Sequence, residues 1–148
     1  MTIKIEARIG IQRSIEQVWE VLSDIPGWET WNPLYTKASG QIRIGEKLAL
    51  QLVLPGQKPQ SIEPVILDWA PFDHVHWRLS MFGGLIKSVR YLELEAMTET
   101  GCIFSNGEIF EGLLAPLAIP GMRRQIRGGF EAMGEALKER VESTTSAA

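Results

Sequence analysis

The chain has 148 residues, of which 45% are hydrophobic, and a formal net charge of -3. This length suits one domain that buries roughly two-thirds of its unfolded surface, so we expect a single domain over residues 1–148. The small negative charge excludes a broad attraction for nucleic acid. Since no apolar run approaches the roughly 18 residues that span a bilayer, we also expect no stable membrane insertion, and a cytoplasmic location.

The first predicted element is a strand over residues 3–11, where apolar and polar residues alternate with the period of a strand that has one buried face. A helix follows. Ser14 suits its N-cap and Gln17, three residues later, completes a capping box, while Pro26 and Gly27 end it. The apolar stripe of this helix consists of Ile15, Val18, Trp19 and Leu22.

Five further strands are predicted from the same alternation of apolar and polar residues. They cover residues 48–54, 60–69, 75–81, 86–97 and 102–111. Consecutive strands joined by short turns favour an antiparallel meander. Cys102 is the one cysteine, so it cannot form an internal disulfide, and its position suits a buried strand residue.

From residue 113 onward the apolar period becomes that of a helix. The stripe consists of Leu117, Met122, Ile126, Phe130, Met133 and Leu137. Pro120 predicts a kink before a straighter segment that ends near residue 142. The sequence therefore predicts an α+β fold, in which a curved antiparallel sheet of about six or seven strands wraps around a long C-terminal helix, with short helices after the first strand.

Two segments of the chain resemble the START-like superfamily, also called SRPBCC, close to its bacterial polyketide cyclase/dehydrase branch. The first carries the matching residues Ile11, Val18, Trp19, Leu22, Asp24, Trp28, Trp31, Asn32 and Pro33, with Gly45 in the following turn. The second, which leads into the last helix, carries Glu108, Phe110, Gly112, Leu113 and Leu114. The resemblance implies the helix-grip fold. It does not select one function, since the superfamily hosts transport, sensing, hydrolysis and cyclisation on one scaffold.

The resemblance also implies a cavity between sheet and helix that holds a hydrophobic small molecule. The candidate lining residues are Leu50, Leu52, Trp77, Leu79, Met81, Phe104, Phe110, Met122, Ile126, Phe130 and Met133. The alternative is that these side chains fill a dry core. Methionine favours the cavity slightly, because its flexible thioether repacks around ligands of varied shape.

Three polar residues fall on strand positions whose direction decides their role. Arg90 shares a face with Leu92 and Leu94, while Asn106 and Glu108 share a face with Phe104 and Phe110. If these faces point inward, the three form a candidate catalytic or ligand-orienting group, with Glu108 as a general base. An Arg90–Glu108 ion pair that only stiffens the sheet is the alternative, and the opposite phase would place all three in water.

The remaining candidate sites are weaker. His74 and His76 share a strand face, but that face is opposite to the apolar one and no third His or Cys joins them, so we expect an exposed surface and no metal site. No phosphate-binding or triad motif is present, and no cofactor is expected. Arg123, Arg124 and Arg127 form a basic cluster, either a solvated helix face or an entrance for an acidic headgroup or anionic membrane surface.

Two functions remain open from the sequence. The first is the binding of a hydrophobic or aromatic small molecule, lipid-like or polyketide-like, in the cavity between sheet and helix. The alternative is a polyketide cyclase/dehydratase-like enzyme in which the same cavity folds a poly-carbonyl chain and Arg90, Asn106 or Glu108 assists proton transfer. A chaperone-binding or stress-regulatory module also occurs on this fold, and no residue pattern here selects it.

Overall fold

A computed structural model describes residues 2–143 of the chain. Its strands are β1 (Ile3–Ile11), β2 (Tyr35–Ser39), β3 (Ala49–Leu52), β4 (Gln60–Ile62), β5 (Val65–Ala70), β6 (His74–Met81), β7 (Ile86–Thr98) and β8 (Gly101–Glu111). Its α-helices are α1 (Ile15–Leu22), α2 (Ala115–Ala118) and α3 (Arg123–Ser143), and short 3-10 helices cover Pro26–Thr30, Phe82–Gly84 and Pro120–Met122. The last helical segment is interrupted around Pro120, as expected.

The strands form two antiparallel sheets. The main sheet has five strands in the order β1-β8-β7-β6-β5, and the smaller sheet has the order β2-β3-β4. A bridge between Lys47 and Val65 joins the two sheets, and a hydrogen bond from Leu48 N to Pro64 O at 2.9 Å reinforces it. Together with α3 they form the predicted helix-grip α+β fold.

The strand count is eight, and two local features explain why it exceeds the predicted six or seven. Residues 35–39 form β2, for which the sequence offered no clear alternation. The predicted strand over residues 60–69 is interrupted at Pro64, so that β4 and β5 belong to different sheets. Proline has no N–H to donate to a strand ladder, and the chain changes sheet there.

Helix α1 begins as the sequence predicts. Ser14 is the N-cap: its Oγ accepts from Gln17 N at 3.2 Å, and Gln17 Oε1 accepts from Ser14 N at 3.2 Å. At the other end, Trp28 Nε1 donates to Leu22 O at 2.9 Å and satisfies a carbonyl that the helix leaves free. The tryptophan of the turn therefore completes the helix.

The turn after α1 also sets the direction of β2. Asn32 Oδ1 accepts from Leu34 N at 3.0 Å and from Tyr35 N at 3.1 Å, an Asx-type turn that Pro33 supports. Tyr35 is buried at the start of β2, stacked on Trp28 with ring centroids 5.5 Å apart. The Trp-Asn-Pro segment thus places a phenol hydroxyl inside the fold.

Helix α3 covers the inner face of the main sheet and packs mainly on β1, with further contacts to β8 and α1. Its buried side chains recur at helical spacing, as an amphipathic helix on a sheet requires. They are Ile126, Phe130, Met133, Leu137 and Val141. This packing confirms the predicted stripe from Ile126 to Leu137 and places Phe130 and Met133 over the middle of the sheet. The prediction was wrong for Leu117, which is exposed on α2 because the break around Pro120 separates it from α3.

Candidate functional site

Arg90 is the centre of a buried polar cluster on the inner face of the main sheet, with 1% of its surface exposed. Its Nε donates to Tyr35 Oη at 2.9 Å, and its Nη2 donates to Asn106 Oδ1 at 3.0 Å. Its Nη1 donates to two backbone carbonyls, Tyr91 O at 3.2 Å and Gly107 O at 3.1 Å. Oxygen atoms thus accept from four of the five N–H groups that a guanidinium carries.

The fifth N–H and the flat face of the guanidinium are also covered. Nη2 approaches Met133 Sδ at 3.6 Å, and the Phe130 ring centroid lies 4.1 Å from Arg90 Cζ. The Tyr35 and Trp77 rings lie 5.8 Å and 6.0 Å from the same atom, and such cation–π contacts stabilise a desolvated cation. Because every N–H has an acceptor within residues 2–143, Arg90 organises the site and has no N–H left for a ligand.

Glu108 is the second charged residue of the cluster. It lies directly opposite Arg90 in the β7–β8 ladder, yet no salt bridge joins the two among the described residues. Burial raises the pKa of the Glu108 carboxyl above its ordinary value, and the charge of Arg90 and the Ser88 hydroxyl lower it only in part. The site therefore contains a carboxyl group that is easier to protonate than an exposed one.

Ser88 is a site residue that the sequence analysis missed. Its hydroxyl is buried and makes no hydrogen bond of good geometry with a described residue, although it lies near enough to Glu108 to lower the pKa of that carboxyl. Gln125 Oε1, on the first turn of α3, is likewise buried without a described partner. A buried polar atom without a partner requires an explanation, such as a water or a ligand. Strand period could have identified Ser88, because it lies two residues before Arg90 on the same face.

The candidate lining residues divide into two groups by exposure. The buried group consists of Leu50, Trp77, Phe104, Phe110, Ile126, Phe130 and Met133. The partly exposed group consists of Leu52, Leu79, Met81 and Met122. Leu79 lies opposite Ser88 in the β6–β7 ladder, and Met81 lies opposite Ile86 one step further along the same face. Apolar residues with incomplete burial therefore continue from the polar cluster toward the end of the sheet.

A solvent-open groove also reaches the cluster from the side. It has a volume of about 300 Å³ and runs between β1 and α3, where it is lined by Arg8, Asn106, Arg127, Phe130 and Glu131 among others. Two of these residues, Asn106 and Phe130, contact the Arg90 guanidinium. The volume is at the lower end of the range for small-molecule sites.

The three arginines at the start of α3 are exposed, and so are two leucines just before them. Leu113 is 83% exposed and Leu117 is 80% exposed, and Arg123, Arg124 and Arg127 are exposed as well. Residues 2–143 contain no helix that is long and apolar enough to cross a bilayer. The cytoplasmic location expected from the sequence stays a prediction.

The raised pKa of Glu108 predicts how stability changes with pH. A carboxyl whose pKa is higher in the folded state contributes its full stability below the pKa of the unfolded chain and loses it as pH rises through the folded-state pKa. The glutamine side chain of Glu108→Gln is uncharged at every pH and contributes no such dependence. We therefore expect the free energy of unfolding of Glu108→Gln to rise relative to that of the natural chain as the pH increases above the ordinary carboxyl pKa of about 4.3. Urea titrations at several pH values measure this difference, and a constant difference would contradict the burial effect.

The chain is similar to known proteins over nearly its full length. A family model described as "Polyketide cyclase / dehydrase and lipid transport" matches residues 2–142. No curated protein matches the sequence. A START superfamily protein from Mycobacterium smegmatis has a TM-score of 0.77 and 18% identity, and the match covers 96% of this chain and 99% of that chain.

Two solved enzyme structures also share the fold. The Zhui aromatase/cyclase from Streptomyces sp. R1128 has a TM-score of 0.79 and 13% identity, with 99% of this chain and 98% of that chain covered. Norcoclaurine synthase from Thalictrum flavum, in complex with dopamine and hydroxybenzaldehyde, has a TM-score of 0.74 and 17% identity, with 99% and 90% covered. At these identities the similarity shows the fold alone, and it confirms the START-like architecture predicted from the sequence.

Proposed function

Because the chain belongs to the polyketide cyclase/dehydrase and lipid transport family, we propose that it binds a hydrophobic or aromatic small molecule, lipid-like or polyketide-like, between the main sheet and α3. In this proposal the chain acts as a single ligand-binding domain. The norcoclaurine synthase structure, which contains dopamine and hydroxybenzaldehyde, supports a small aromatic molecule as one class of ligand on this fold.

The observation that carries the proposal is the buried Ser88 hydroxyl, which has no described hydrogen-bond partner and lies beside the Glu108 carboxyl in the polar cluster around Arg90. Glu108 itself has no described salt bridge. A ligand carbonyl or hydroxyl that bonds Ser88 would remove the cost of leaving this group unsatisfied, which is about 1–3 kcal/mol. The pair therefore suits an orienting role, while Arg90 keeps the surrounding strands and rings in place.

The apolar part of the ligand would contact the eleven lining residues named from the sequence. The partly exposed residues Leu52, Leu79, Met81 and Met122 are the proposed first contacts, because a ligand can reach them without displacing the core. The buried members, such as Phe130 and Met133, are packed around Arg90. A larger ligand would have to move these side chains, and the flexible thioether of Met133 favours such repacking.

The alternative function is a cyclase or dehydratase that uses the same space, and the raised pKa of Glu108 is the observation that favours it. A general base works best when its pKa lies near the operating pH, and burial shifts the Glu108 carboxyl in that direction. Glu108 would remove a proton next to a ligand carbonyl and return it to the leaving oxygen. The nearby positive charge of Arg90 would stabilise the enolate that develops, and confinement of the chain would contribute much of the remaining rate.

A pair of tryptophan variants tests the binding site. Met122→Trp places a large ring at a partly exposed position just before α3. It should reduce binding of the fluorescent aromatic probe 1-anilinonaphthalene-8-sulfonate by about tenfold, because the ring fills the space that the ligand needs. Leu117→Trp is the matched control, since Leu117 is exposed, and it should bind as the natural chain does. Native mass spectrometry of the purified protein, followed by extraction, identifies a retained molecule to replace the probe.

Two results would contradict the proposal. One is probe binding by Met122→Trp that is as strong as binding by Leu117→Trp and by the natural chain, when thermal melting shows that both variants are folded. The other is binding that is lost equally in both variants, which would place the probe on the exposed loop instead of the space between sheet and helix.

A further inference from the structure

The outer face of the main sheet carries a cluster of histidine and acidic residues that the proposed function does not use. His74 and His76 are two residues apart on β6, so their rings project from the same face. The two ring centroids are 4.4 Å apart. Both side chains are partly buried, with 17% and 29% exposure, so neighbouring strands limit their rotation.

A third residue joins them from the neighbouring strand. Asp68 lies directly opposite His76 in the β5–β6 ladder, and Asp68 Oδ2 is 3.0 Å from His74 Nε2. The register shifts between Ile66 and Asp68, which is the signature of a bulge that turns the following side chain to the other face. Ile66 therefore faces the core, while Asp68, two residues later, faces the histidines.

Two further carboxylates contact the histidine rings. His74 Nδ1 is 2.5 Å from Asp73 Oδ2, and His76 Nε2 is 2.9 Å from Glu93 Oε2. Metal-bound histidines almost always keep their second ring nitrogen on a carboxylate, carbonyl or water, which fixes the ring and increases its basicity. The cluster thus contains potential ligands together with the groups that usually support them.

We propose that Asp68, His74 and His76 bind a divalent transition-metal ion, Zn²⁺ in the first instance, with Asp73 and Glu93 as supporting carboxylates. One ligand atom from each of the three residues lies within 4.8 Å of the other two. Two ligand atoms on a tetrahedral Zn²⁺ are about 3.4 Å apart. Side-chain rotations that move the ligand atoms by roughly 1 Å would therefore bring all three within bonding distance of one ion. A water fills the fourth position.

The type of ligand selects the class of metal. Imidazole nitrogens suit Zn²⁺, Cu²⁺ and Ni²⁺, whereas Mg²⁺ and Ca²⁺ prefer sites built from oxygen alone. With two nitrogens and one carboxylate oxygen, this site would discriminate against the alkaline-earth ions. Binding would also restrain the β5–β6 turn, in which Phe72 has a left-handed backbone with φ of 64° and packs edge-on against Trp19 at 6.3 Å.

The same contacts admit a simpler state, a protonated His74 held between two aspartates. Burial lowers the pKa of His74, but the hydrogen bonds to Asp73 and Asp68 outweigh this effect and raise the pKa above its ordinary value. A proton and a metal ion would compete for the same nitrogen. The experiment must therefore detect metal binding directly.

The composition of the chain leaves few other side chains that could bind the metal in that experiment. His74 and His76 are the only histidines, and the single cysteine, Cys102, is buried. Tag-free protein titrated with ZnCl₂ in a calorimeter should bind one equivalent, and Co²⁺ should give the visible absorption of a tetrahedral complex. We expect His74→Ala and His76→Ala each to weaken Zn²⁺ binding at least about 100-fold, and Asp73→Asn to weaken it about tenfold.

Glu95→Gln is the matched control, because Glu95 is an exposed carboxylate on the same face of β7 as Glu93. It should bind Zn²⁺ as the natural chain does, and circular dichroism of the metal-free proteins checks that each variant is folded. Asp68→Asn, which alters only an exposed side chain, provides a second test if a histidine variant unfolds. Zn²⁺ binding that is unchanged in folded His74→Ala, His76→Ala or Asp68→Asn overturns the proposal, and so does the absence of stoichiometric binding by the natural chain.

Discussion

Replacing Arg90 with methionine is expected to lower the free energy of unfolding by at least about 3 kcal/mol, because it removes the cation around which the inner face is built. The guanidinium satisfies Tyr35 Oη, Asn106 Oδ1 and the Gly107 carbonyl, all inside the fold. Methionine is apolar and of similar length, so the substitution leaves only a small cavity. The loss of stability therefore arises mainly from the acceptor oxygens that no longer have a hydrogen-bond donor. Glu108 also loses the positive charge that holds its pKa down.

Arg78→Met is the control for this prediction. Arg78 pairs with Val89 in the β6–β7 ladder and lies on the opposite, exposed face of β6, so its replacement should change stability by no more than about 0.5 kcal/mol. Urea denaturation monitored by tryptophan fluorescence measures both variants. If Arg90→Met and Arg78→Met lose the same small amount, the hydrogen bonds of Arg90 do not determine the stability of the inner face.

Arg90→Lys separates the contribution of the positive charge from that of the pattern of hydrogen-bond donors. Lysine keeps the positive charge but presents three donors from one atom, and it lacks the planar fork that reaches acceptors on β2, β7 and β8. We therefore expect a stability between those of Arg90→Met and the natural chain. Full rescue by lysine would indicate that charge, and not the pattern of donors, is what the cluster requires.

Glu108→Gln is expected to lower kcat for a poly-carbonyl substrate by about 10²- to 10⁴-fold if the chain is a cyclase or dehydratase. Glutamine has nearly the same shape and keeps a polar group beside Ser88, but it cannot accept a proton. KM should change little, because the apolar contacts that bind the substrate are untouched. Steady-state kinetics on the molecule identified by native mass spectrometry, or on a poly-β-ketone analogue, separate the two constants.

Glu111→Gln is the matched control for the catalytic test. Glu111 is three residues further along β8 and exposed, so its neutral variant should keep full activity. Equal activity of Glu108→Gln and the natural chain would remove Glu108 from the mechanism. A natural chain that binds the molecule without turnover would instead favour the binding function, in which Glu108 and Ser88 only orient the ligand.

The sequence predicted the elements whose formation depends on local residues. The Ser14 cap, the helix after it and the alternation of β1 are set by interactions within a few positions of the chain, and the structure confirms all three. The interruption near Pro120 follows from the missing N–H of proline. Strand period placed Arg90 on the face of Leu92 and Asn106 on the face of Phe104 but left open whether these faces point inward, and the burial of all four residues shows that they do.

The sequence did not determine which groups meet inside that interior. Tyr35 accepts from Arg90 Nε although 55 positions separate them, and this contact requires β2, a strand that no alternation predicted. Ser88 was missed because a serine on a strand has no distinctive pattern of its own. Its burial beside Glu108 depends on how β6, β7 and β8 pair.

The outer face shows the same division more sharply. That His74 and His76 share one side of β6 follows from the sequence, because a strand repeats every two residues. That Asp68 joins them depends on the folded sheet, since a bulge in β5 reverses the phase between Ile66 and Asp68. Periodicity is a property of one strand, whereas register and bulges depend on its partner. The contacts between strands can therefore be identified only in the folded structure.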